Sequence, residues 1–355
     1  MESSSQTRLG DVPEPADAPD PTGDGVAAGL TLGLALDVEL EARVRSRLLA
    51  IEKELAVAVT SDVDFVNEAA RHLLDAGGKR FRPLLVVLAA EYGDPDAPGI
   101  VPAALVVELT HLATLYHDDV MDEADLRRGA QSANARWDNS VAILTGDFLF
   151  ARASDIVADL GPEAVRIQAQ TFARLVQGQI RETVGPREGE DRLAHYLSVV
   201  ADKTGSLIAT SARFGAKLAG ASAETEAVLT EFGEQIGTAF QLSDDVIDIA
   251  SDTAESGKTP GTDLREGVPT LPTLLAQHSH GVDPRLASLL SAPITDDDDH
   301  AEALSLLRAH PAMQAARDEV RRRADTARGL LTSLPDHPAT QALHGLCDLV
   351  THRTA

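Results

Sequence analysis

Apolar residues recur along most of the chain at the three- and four-residue spacing that is typical of amphipathic helices. The pattern begins near residue 37, where apolar side chains lie between charges: Val38, Val44, Leu48, Ile51 and Leu55. Further segments follow, separated by Gly, Pro or Asp clusters: residues 63–75, 81–92, 100–122, 140–159, 162–182, 191–219, 224–250, 270–280, 301–309 and 312–332. Strand-like alternation is scarce. The pattern therefore predicts an all-α fold, a helical bundle with its functional site between facing helices.

The first 36 residues have a different composition, with four prolines among Asp, Ser, Gly and Ala. Such a segment has too little apolar surface to offset the entropy of ordering. We therefore expect a disordered N-terminal tail over residues 1–36 and a single all-α domain over residues 37–355. No motif repeats with a period of 20 to 50 residues, which argues against a solenoid.

One short acidic pattern occurs twice, as Asp-Asp-Val-Met-Asp at residues 118–122 and Asp-Asp-Val-Ile-Asp at residues 244–248. In a helix, the first and fifth residues of each pattern project from the same face. An acidic cluster is often only a solvated face, but here each follows an apolar stretch, where a structural helix would bury hydrophobic residues. We therefore interpret both patterns as metal sites, with these candidate ligands: Asp118, Asp119, Asp122, Asp244, Asp245 and Asp248.

The ligand chemistry indicates the ion. Oxygen ligands without a nearby Cys or His cluster suit Mg²⁺, which takes one or two carboxylates and completes its shell with water and substrate phosphate. A substrate that carries a diphosphate is therefore expected. A third acidic run, Asp296 to Asp299 followed by His300, points around a helix instead of converging, and we predict that it is a solvated loop.

Charge and cysteine content narrow the class of protein further. The 56 acidic and 31 basic residues give a formal charge of −25, which opposes binding to nucleic acid or to anionic lipid. The single cysteine, Cys347, excludes an internal disulfide and suggests a reducing, cytoplasmic setting. The N-terminal residues do not resemble a signal peptide, and we expect no apolar run to approach the roughly 20 residues that span a bilayer, so we predict no stable membrane insertion.

Two basic groups stand out in so acidic a chain. Lys79, Arg80 and Arg82 follow a Gly-Gly pair at the start of a predicted helix, where backbone amides also favour an anion. Arg127 and Arg128 lie just beyond the first acidic pattern. The alternative is that these arginines only form ion pairs with neighbouring acidic residues. We predict that the first group binds an oxyanion.

These residues form ordered motifs that resemble those of trans-polyprenyl diphosphate synthases, and the resemblance covers nearly the whole chain after the tail. The matching words are Gly-Gly-Lys-Arg-Phe-Arg-Pro at 77–83, His-Asp-Asp-Val-Met-Asp through Arg-Arg-Gly at 117–129, Lys-Thr-Gly at 203–205, Gln to Asp at 241–248, Gly-Lys at 257–258 and Thr-Leu-Pro at 270–272. The resemblance implies the isoprenoid synthase fold, a bundle of antiparallel helices around a deep cavity, in a homodimer.

The resemblance also implies a role for each motif residue. The aspartates and Lys203 would be catalytic, with Asp118, Asp122 and Asp244 as ligands of three Mg²⁺ ions. Residues that match isopentenyl diphosphate-binding positions are Lys79, Arg82, His111 and Arg128. Those on the allylic diphosphate side are Arg127, Lys203, Thr204, Gln241 and Lys258. His111 lies two helical turns before Asp118, so it shares the face of that residue, although an isolated histidine there would more often be an interior residue.

Product length in this family depends on side chains about one turn before the first aspartates. Here these are Ala113 and Thr114, and a small pair indicates a long product, of about 30 to 50 carbons, for a quinone side chain. Phe148, Phe150 and Phe172 are candidates for the floor of the tunnel, although bulky apolar residues on helices usually just form the core.

Two positions depart from the common family pattern: Val268 stands where a lysine is frequent, and Gln179 stands where a Gly-Glu pair is frequent. Three alternatives stay open. They are a short-chain farnesyl or geranylgeranyl diphosphate synthase, a terpene cyclase, and a non-catalytic subunit of a two-component synthase. The basic residues argue against a cyclase, which binds no second diphosphate, and the complete aspartate motifs argue against a non-catalytic subunit. Transient membrane contact during product release is also left open.

Overall fold

Sixteen α-helices and one small hairpin make up nearly all regular structure of the described residues. The structure is a computed structural model that describes residues 33, 34, 36–251, 260–279 and 282–354. The helices are α1 (Val38–Ala58), α2 (Asp64–Asp75), α3 (Phe81–Ala90), α4 (Ile100–Met121), α5 (Ala133–Arg136), α6 (Asn139–Asp159), α7 (Pro162–Val184), α8 (Arg192–Val200), α9 (Ser206–Leu218), α10 (Ala223–Ala250), α11 (Thr262–Glu266), α12 (Leu271–His278), α13 (Pro284–Leu289), α14 (Asp297–Ala309), α15 (Pro311–Leu330) and α16 (Pro338–His352).

The predicted all-α class is confirmed, and each helical segment predicted from the apolar pattern contains a helix. Helices α5, α11, α13 and α16 were not among those segments. Most of the predicted tail lies outside the described residues; at its end, Leu34 and Leu36 are half-buried against the core.

Four helices pack around the centre of the bundle. Helix α4 packs against α6 and α9, and α7 packs against the same two helices, so α4 and α7 face each other across the middle. Helix α9 also packs tightly against α3 and α10. Glycine permits these close approaches: a Cβ atom at Gly215 would lie 2.2 Å from the carbonyl oxygen of Val86, and one at Gly233 would lie 2.6 Å from the Cα of Ala209. Because these two glycines have no side chain, α9 can pack closely against both α3 and α10.

Helix α4 corrects the expectation about apolar runs. Among the described residues, it is the one helix long and apolar enough to cross a membrane by length and composition. However, 67% of its apolar stretch is buried inside the fold. A core helix that is covered on most sides has this composition for the same reason as a membrane helix, because nearly every side chain avoids water.

The acidic run at residues 296–299 is not the loop that we predicted. Asp296 caps α14, and its side chain accepts hydrogen bonds from the backbone amides of Asp298 and Asp299. Carboxylates in a first helical turn interact favourably with the positive end of the helix dipole. The run therefore begins a helix. His300 is buried within it and contacts the carbonyl oxygen of Gly261 at 2.9 Å.

The structure also contains two short strands, although the sequence showed no credible strand. β1 (Leu126–Arg127) pairs antiparallel with β2 (Ala130–Gln131). The two residues between them have positive φ angles, 54° at Arg128 and 77° at Gly129, as a tight hairpin turn of the I′ kind requires. Strands of two residues are too short to show alternation. This hairpin positions both arginines next to the end of α4.

Candidate active site

The first aspartate pattern ends α4. Asp118 is half-buried, and burial raises its pKa to about 6, with a further contribution from the negative charge of Asp122; the nearby Lys203 ammonium opposes this rise. Asp119 is fully buried, and one of its oxygens accepts a hydrogen bond from Nε of Arg127 at 2.5 Å. Asp122 is exposed at the C-cap position. The first and fifth residues of the pattern therefore remain accessible, whereas the second is fixed inside the fold.

The second pattern lies near the C-terminal end of α10 and shows the same division. Asp245 is buried, and its carboxylate accepts hydrogen bonds from the Tyr196 hydroxyl, from the backbone amide of Leu271 at 3.0 Å and from the Gln241 amide at 3.4 Å. Burial raises the pKa of Asp245 to about 7, although these donors oppose the rise. All three donors are neutral. Through these hydrogen bonds, Asp245 holds helices α8, α10 and α12 together at the site.

The first and fifth aspartates of this pattern, Asp244 and Asp248, contact other parts of the chain. Asp244 is half-buried and forms an ion pair with Arg353 at 2.6 Å, just after α16. Asp248 accepts a hydrogen bond from the backbone amide of Thr262 at 3.3 Å through its side chain. Burial raises the pKa of Glu266 on α11, and the charges of Asp122 and Asp248 raise it further. Glu266 therefore lies within electrostatic reach of both patterns, which places them around one site.

Lys203 faces the first pattern from a helix defect. The chain passes from α8 to α9 through one turn of π-helix, Ala201–Gly205, a feature that is frequent at functional sites. The Lys203 ammonium donates to Glu182 at 2.6 Å. Burial disfavours its charge, but Glu182, Asp118 and Asp122 outweigh that effect and raise the pKa of Lys203. Lys203 therefore remains protonated beside Asp118 and Asp122.

Two other residues predicted for the allylic side lie next to Lys203. The Thr204 hydroxyl donates a hydrogen bond to the Gln241 side chain at 3.2 Å, which links the π-turn to α10. Gln241 in turn contacts Asp245. Lys258 was also predicted for this group, but it lies outside the described residues.

A second basic group surrounds His111. Burial lowers the pKa of His111 well below its usual range, and the charges of Arg82 and Arg128 lower it further, so the imidazole is neutral. Burial likewise lowers the pKa of Arg82 to about 10. The Arg82 Nε is buried without a hydrogen-bond partner, whereas Arg128 donates to the carbonyl oxygen of Leu73 at 2.9 Å. The structure therefore brings Arg82, His111 and Arg128 together, as the sequence predicted, and leaves Lys79 exposed in the loop before α3.

Arg80 does not belong to the predicted oxyanion-binding group. Its guanidinium is buried and forms a two-point ion pair with Glu52, and it also contacts Glu108 at 3.0 Å. Burial disfavours its charge, but the two glutamates outweigh that effect and raise the pKa of Arg80. A buried and fully paired arginine has a structural role here. It ties α1 and α4 to the loop that carries Lys79.

The residues predicted to limit product length lie in the interior. Ala113 is fully buried, with its carbonyl oxygen next to Gly146 of α6, and the hydroxyl of half-buried Thr114 donates to the carbonyl oxygen of His111 at 2.8 Å. Phe150 and Phe172, two of the candidate floor residues, pack with ring centroids 4.3 Å apart. The third, Phe148, is half-buried on α6. Their effect on product length stays a prediction.

The two departures from the family pattern also have clear positions. Val268 is exposed in the loop before α12, and Gln179 is half-buried on α7 with a side-chain oxygen that has no hydrogen-bond partner. Neither replaces a motif aspartate.

Four residues near the site did not emerge from the sequence: Glu182, Tyr196, Glu266 and Arg353. Tyr196 and Arg353 contact aspartates that are 49 and 109 positions away in the chain. Such distances leave no local pattern. Glu182 lies four residues after Gly178, where a Cβ atom would come within 2.8 Å of the Lys203 amide nitrogen. In the sequence, Gly178 was therefore the residue that could have indicated the packing of α7 against the π-turn.

The donor set fits Mg²⁺. The accessible carboxylates are all oxygen donors, and Asp119 has a second carboxylate oxygen that is buried without a hydrogen-bond partner. Within residues 36–251, 260–279 and 282–354, no three His, Cys, Asp or Glu side chains come close enough to hold an ion by themselves. This arrangement is consistent with Mg²⁺, which is typically held by one or two carboxylates together with substrate phosphates and water.

Comparisons with known proteins agree with this geometry. The family model described as Polyprenyl synthetase matches residues 63–307. A nonaprenyl diphosphate synthase from Mycobacterium tuberculosis is 51% identical over 87% of this chain and 93% of its own length. The crystal structure of a geranylgeranyl pyrophosphate synthase from Corynebacterium glutamicum, complexed with calcium and isoprenyl diphosphate, superposes with a TM-score of 0.81 and 46% identity over 90% of this chain and 99% of that one. A decaprenyl diphosphate synthase structure from Rhodobacter capsulatus gives 0.80 and 33%, over 89% and 99%.

Proposed function

The chain belongs to the polyprenyl synthetase family, and we propose that it condenses isopentenyl diphosphate head to tail with an allylic diphosphate to form a long-chain all-trans polyprenyl diphosphate. The match to the family model and to its relatives confirms the family resemblance seen in the sequence. One observation carries the proposal. A carboxylate site that suits a metal-bound diphosphate lies near a separate basic group of Arg82, His111 and Arg128, so the protein can bind two diphosphates at once. A terpene cyclase would need only one of these sites.

The residues present suit this chemistry. When bound, Mg²⁺ would supply positive charge to the departing diphosphate, and we propose three ions per site, held by Asp118, Asp122 and Asp244. Lys203 lies beside Asp118 and Asp122, Arg127 lies beside Asp122, and both cations stabilise negative charge on the leaving group. The allylic carbon–oxygen bond breaks, and its electron pair leaves with the diphosphate. The double bond of isopentenyl diphosphate then attacks the resulting allylic cation, and a proton is lost. By family analogy, the released diphosphate takes this proton. The apolar interior excludes water from the cation.

A long product is favoured over a short one. Ala113 and Thr114 both have small side chains, so neither presents an aromatic ring below the aspartates. The relative with 51% identity is a nonaprenyl diphosphate synthase. The solved geranylgeranyl pyrophosphate synthase, at 46% identity, keeps the short-chain alternative in the test below. We propose a product of about 30 to 50 carbons for a quinone side chain.

We further propose that the chain forms a homodimer through α6 and α7. These helices pack against each other and expose apolar side chains: Ile143 (43%), Leu144 (66%), Val176 (38%) and Ile180 (56%). Adjoining apolar patches of this kind are typical of interfaces. Light scattering should show a dimer for the wild type and a monomer for Leu144→Glu. A monomeric wild type would contradict the proposal. The cytoplasmic location stays a prediction from the single cysteine.

The test of function is direct. Purified protein is incubated with Mg²⁺, labelled isopentenyl diphosphate and either farnesyl or geranylgeranyl diphosphate, and the dephosphorylated products are sized by chromatography. Products of about 30 carbons or more are expected. Termination at about 15 or 20 carbons would retain the chemistry but reject the long product. No incorporation with either primer would favour the alternative of a subunit that requires a partner chain.

A further inference from the structure

Helix α14, which begins with the third acidic run of the sequence, is attached to the chain on both sides of the second aspartate pattern. At its far end, the Arg308 guanidinium donates to the carbonyl oxygens of Ile249 at 2.7 Å and Ser251 at 2.6 Å. The last carbonyls of a helix have no partner within it, so this arginine completes the end of α10. The near end, with the residues just before it, holds α11 through three contacts: Ile294 with Leu264, Asp297 with Arg265, and His300 with Gly261.

A single peptide group connects His300 to Asp248. A carbonyl oxygen only accepts, so Nε2 of His300 carries the hydrogen and donates it to the oxygen of Gly261 at 2.9 Å. The N–H of Thr262, which belongs to the same peptide group, donates to Oδ1 of Asp248 at 3.3 Å. Because a peptide group is planar and trans, its oxygen and its hydrogen point in opposite directions. His300 and Asp248 therefore bind opposite sides of one rigid unit.

The backbone of Gly261 permits this arrangement. Its φ angle is 70°, in the left-handed region that favours glycine, and a Cβ atom there would lie 2.8 Å from Nε2 of His300. Its own N–H donates to the main-chain oxygen of Asp248 at 2.8 Å. Two consecutive N–H groups therefore hold Asp248, one through its backbone and one through its carboxylate.

Packing alone does not explain a histidine at position 300. The side chain is 5% exposed, and its neighbours Ala303 and Leu304 on α14 are buried apolar residues. An apolar side chain would fill this place without the free-energy cost of removing an imidazole from water. Unlike an apolar side chain, His300 fixes the orientation of the peptide group between Gly261 and Thr262. Hydrogen bonds in series also strengthen one another, so donation to the oxygen makes the N–H a better donor to the carboxylate.

We propose that His300 is a positioning residue for Asp248 and acts through the peptide group between Gly261 and Thr262. The inference rests on the proposed function, since it gives this contact a consequence at the second aspartate pattern. Asp248 lies one helical turn after Asp244, so the two carboxylates share a face of α10. A carboxylate whose orientation is already fixed loses less conformational freedom when a metal-bound diphosphate arrives. The third acidic run therefore begins a helix that positions the second pattern.

The first measurement tests the contact in the protein without Mg²⁺ or substrate. His300→Leu and His300→Phe remove the N–H donor, whereas His300→Gln keeps a side-chain N–H. Thr262 is exposed, so slow hydrogen exchange of its amide reports the hydrogen bond to the carboxylate. Exchange at this amide, resolved by mass spectrometry, should be about fivefold faster in the two variants without a donor, the factor expected for one net hydrogen bond. His300→Gln should exchange like the wild type.

The second measurement is the Mg²⁺ dependence of turnover with farnesyl diphosphate and labelled isopentenyl diphosphate. In His300→Leu and His300→Phe, the half-saturating Mg²⁺ concentration should rise about fivefold. The KM for isopentenyl diphosphate should not change, because its proposed binding group belongs to other elements: Arg82 on α3, His111 on α4 and Arg128 on the hairpin. The matched control is Ala303→Gly, which weakens α14 as a helix but keeps the hydrogen bond and should leave the Mg²⁺ requirement unchanged.

The outcomes separate the two proposals. Fast exchange of the Thr262 amide in the wild type would overturn the role of His300, whether or not the variants fold. So would an unchanged Mg²⁺ requirement in a folded variant without the donor, or an equal rise in Ala303→Gly; the synthase function would stay intact. A wild type that incorporates no label would overturn the function, and the exchange rates would then decide the role of His300. If His300→Leu does not fold, His300→Phe decides, since it keeps a flat ring of similar size.

Discussion

The two aspartate patterns are nearly identical in sequence, but the protein fixes them by different means. In both, the second aspartate is buried and serves as an anchor. Asp119 is anchored by a cation, Arg127, which lies only eight positions away on the adjoining hairpin. Asp245 is anchored by neutral donors, Tyr196 and the backbone amide of Leu271, which lie 49 and 26 positions away. The first half of the site is therefore a local unit, whereas the second exists only when several helices have assembled.

The difference has an electrostatic consequence. Burial raises the pKa of both anchors, but the positive charge of Arg127 opposes the rise at Asp119. The donors to Asp245 from Tyr196, Leu271 and Gln241 are neutral, and its pKa reaches about 7. We infer that a bound metal ion compensates the second pattern more than the first. The following predictions test this comparison.

The largest effect is expected at the outer aspartates, where the two patterns should behave alike. Asp118→Asn and Asp244→Asn each remove a negative ligand, so kcat/KM should fall by about a thousandfold, or about 4 kcal/mol. Steady-state kinetics at saturating Mg²⁺ measure this. Asp155→Asn, a change at an exposed surface carboxylate, serves as the control. A loss in only one of the two variants would mean that one pattern is dispensable.

Stability should separate the two anchors. Asp119→Asn removes the nearer charged partner of half-buried Arg127 and leaves only exposed Asp122 at 3.7 Å, so the free energy of unfolding should fall by about 2 kcal/mol. Asp245→Asn keeps an acceptor for Tyr196 and for the Leu271 amide, so the loss should be about 1 kcal/mol or less. Denaturant unfolding without Mg²⁺ at pH 8 measures both. Equal losses would contradict the distinction between a charged and a neutral anchor.

The same anchor predicts a pH dependence. The pKa of Asp245 is raised on folding, so the folded protein binds the proton more tightly than the unfolded chain does. Its contribution to stability is therefore greatest at low pH and is lost as the pH rises through about 7. Without Mg²⁺, the wild type should lose more stability between pH 5 and pH 8 than Asp245→Asn loses. Parallel pH profiles of the two proteins would show that Asp245 does not titrate in this range.

A moderate effect is expected for the neutral donor itself. Tyr196→Phe removes the hydroxyl that holds Asp245 but keeps the ring, so kcat should fall about tenfold and the half-saturating Mg²⁺ concentration should rise. Kinetics as a function of Mg²⁺ measure both quantities. Tyr92→Phe is the matched control, since it removes a hydroxyl that bonds to Thr340 away from the site. An unchanged Mg²⁺ requirement in Tyr196→Phe would show that Tyr196 does not position the second pattern.

The smallest effect concerns Arg353. Its guanidinium neutralises Asp244 and lies over the ring of Phe240, 4.6 Å from the centroid. Arg353→Gln removes the competing cation, so the half-saturating Mg²⁺ concentration should fall about twofold to threefold. Arg328→Gln, which removes a surface ion pair with Asp348, is the control. A rise in the Mg²⁺ requirement would indicate that Arg353 assists binding at the site instead of competing with the metal.

Much of the fold could be predicted because helical periodicity is a local property. The apolar pattern predicted the segments around α4, α7 and α10. The two acidic patterns at the ends of α4 and α10 were also visible in the sequence. The hairpin was missed because its strands have two residues each. Arg80 was placed with Lys79 and Arg82 because all three are basic and adjacent. Its partners, Glu52 and Glu108, each lie 28 positions away, and no local pattern indicates them.

By itself, the sequence determined the helical class, the two acidic patterns and the basic residues that accompany them, because spacing along a helix fixes which side chains share a face. Only the tertiary structure decided which residue of each Asp-Asp pair is buried and which stays accessible. It also decided that Tyr196 and Arg353 reach the second pattern and that His300 is connected to Asp248 through one peptide group. Burial and hydrogen bonding depend on what packs against a helix, and the periodicity of one helix carries no information about its neighbours.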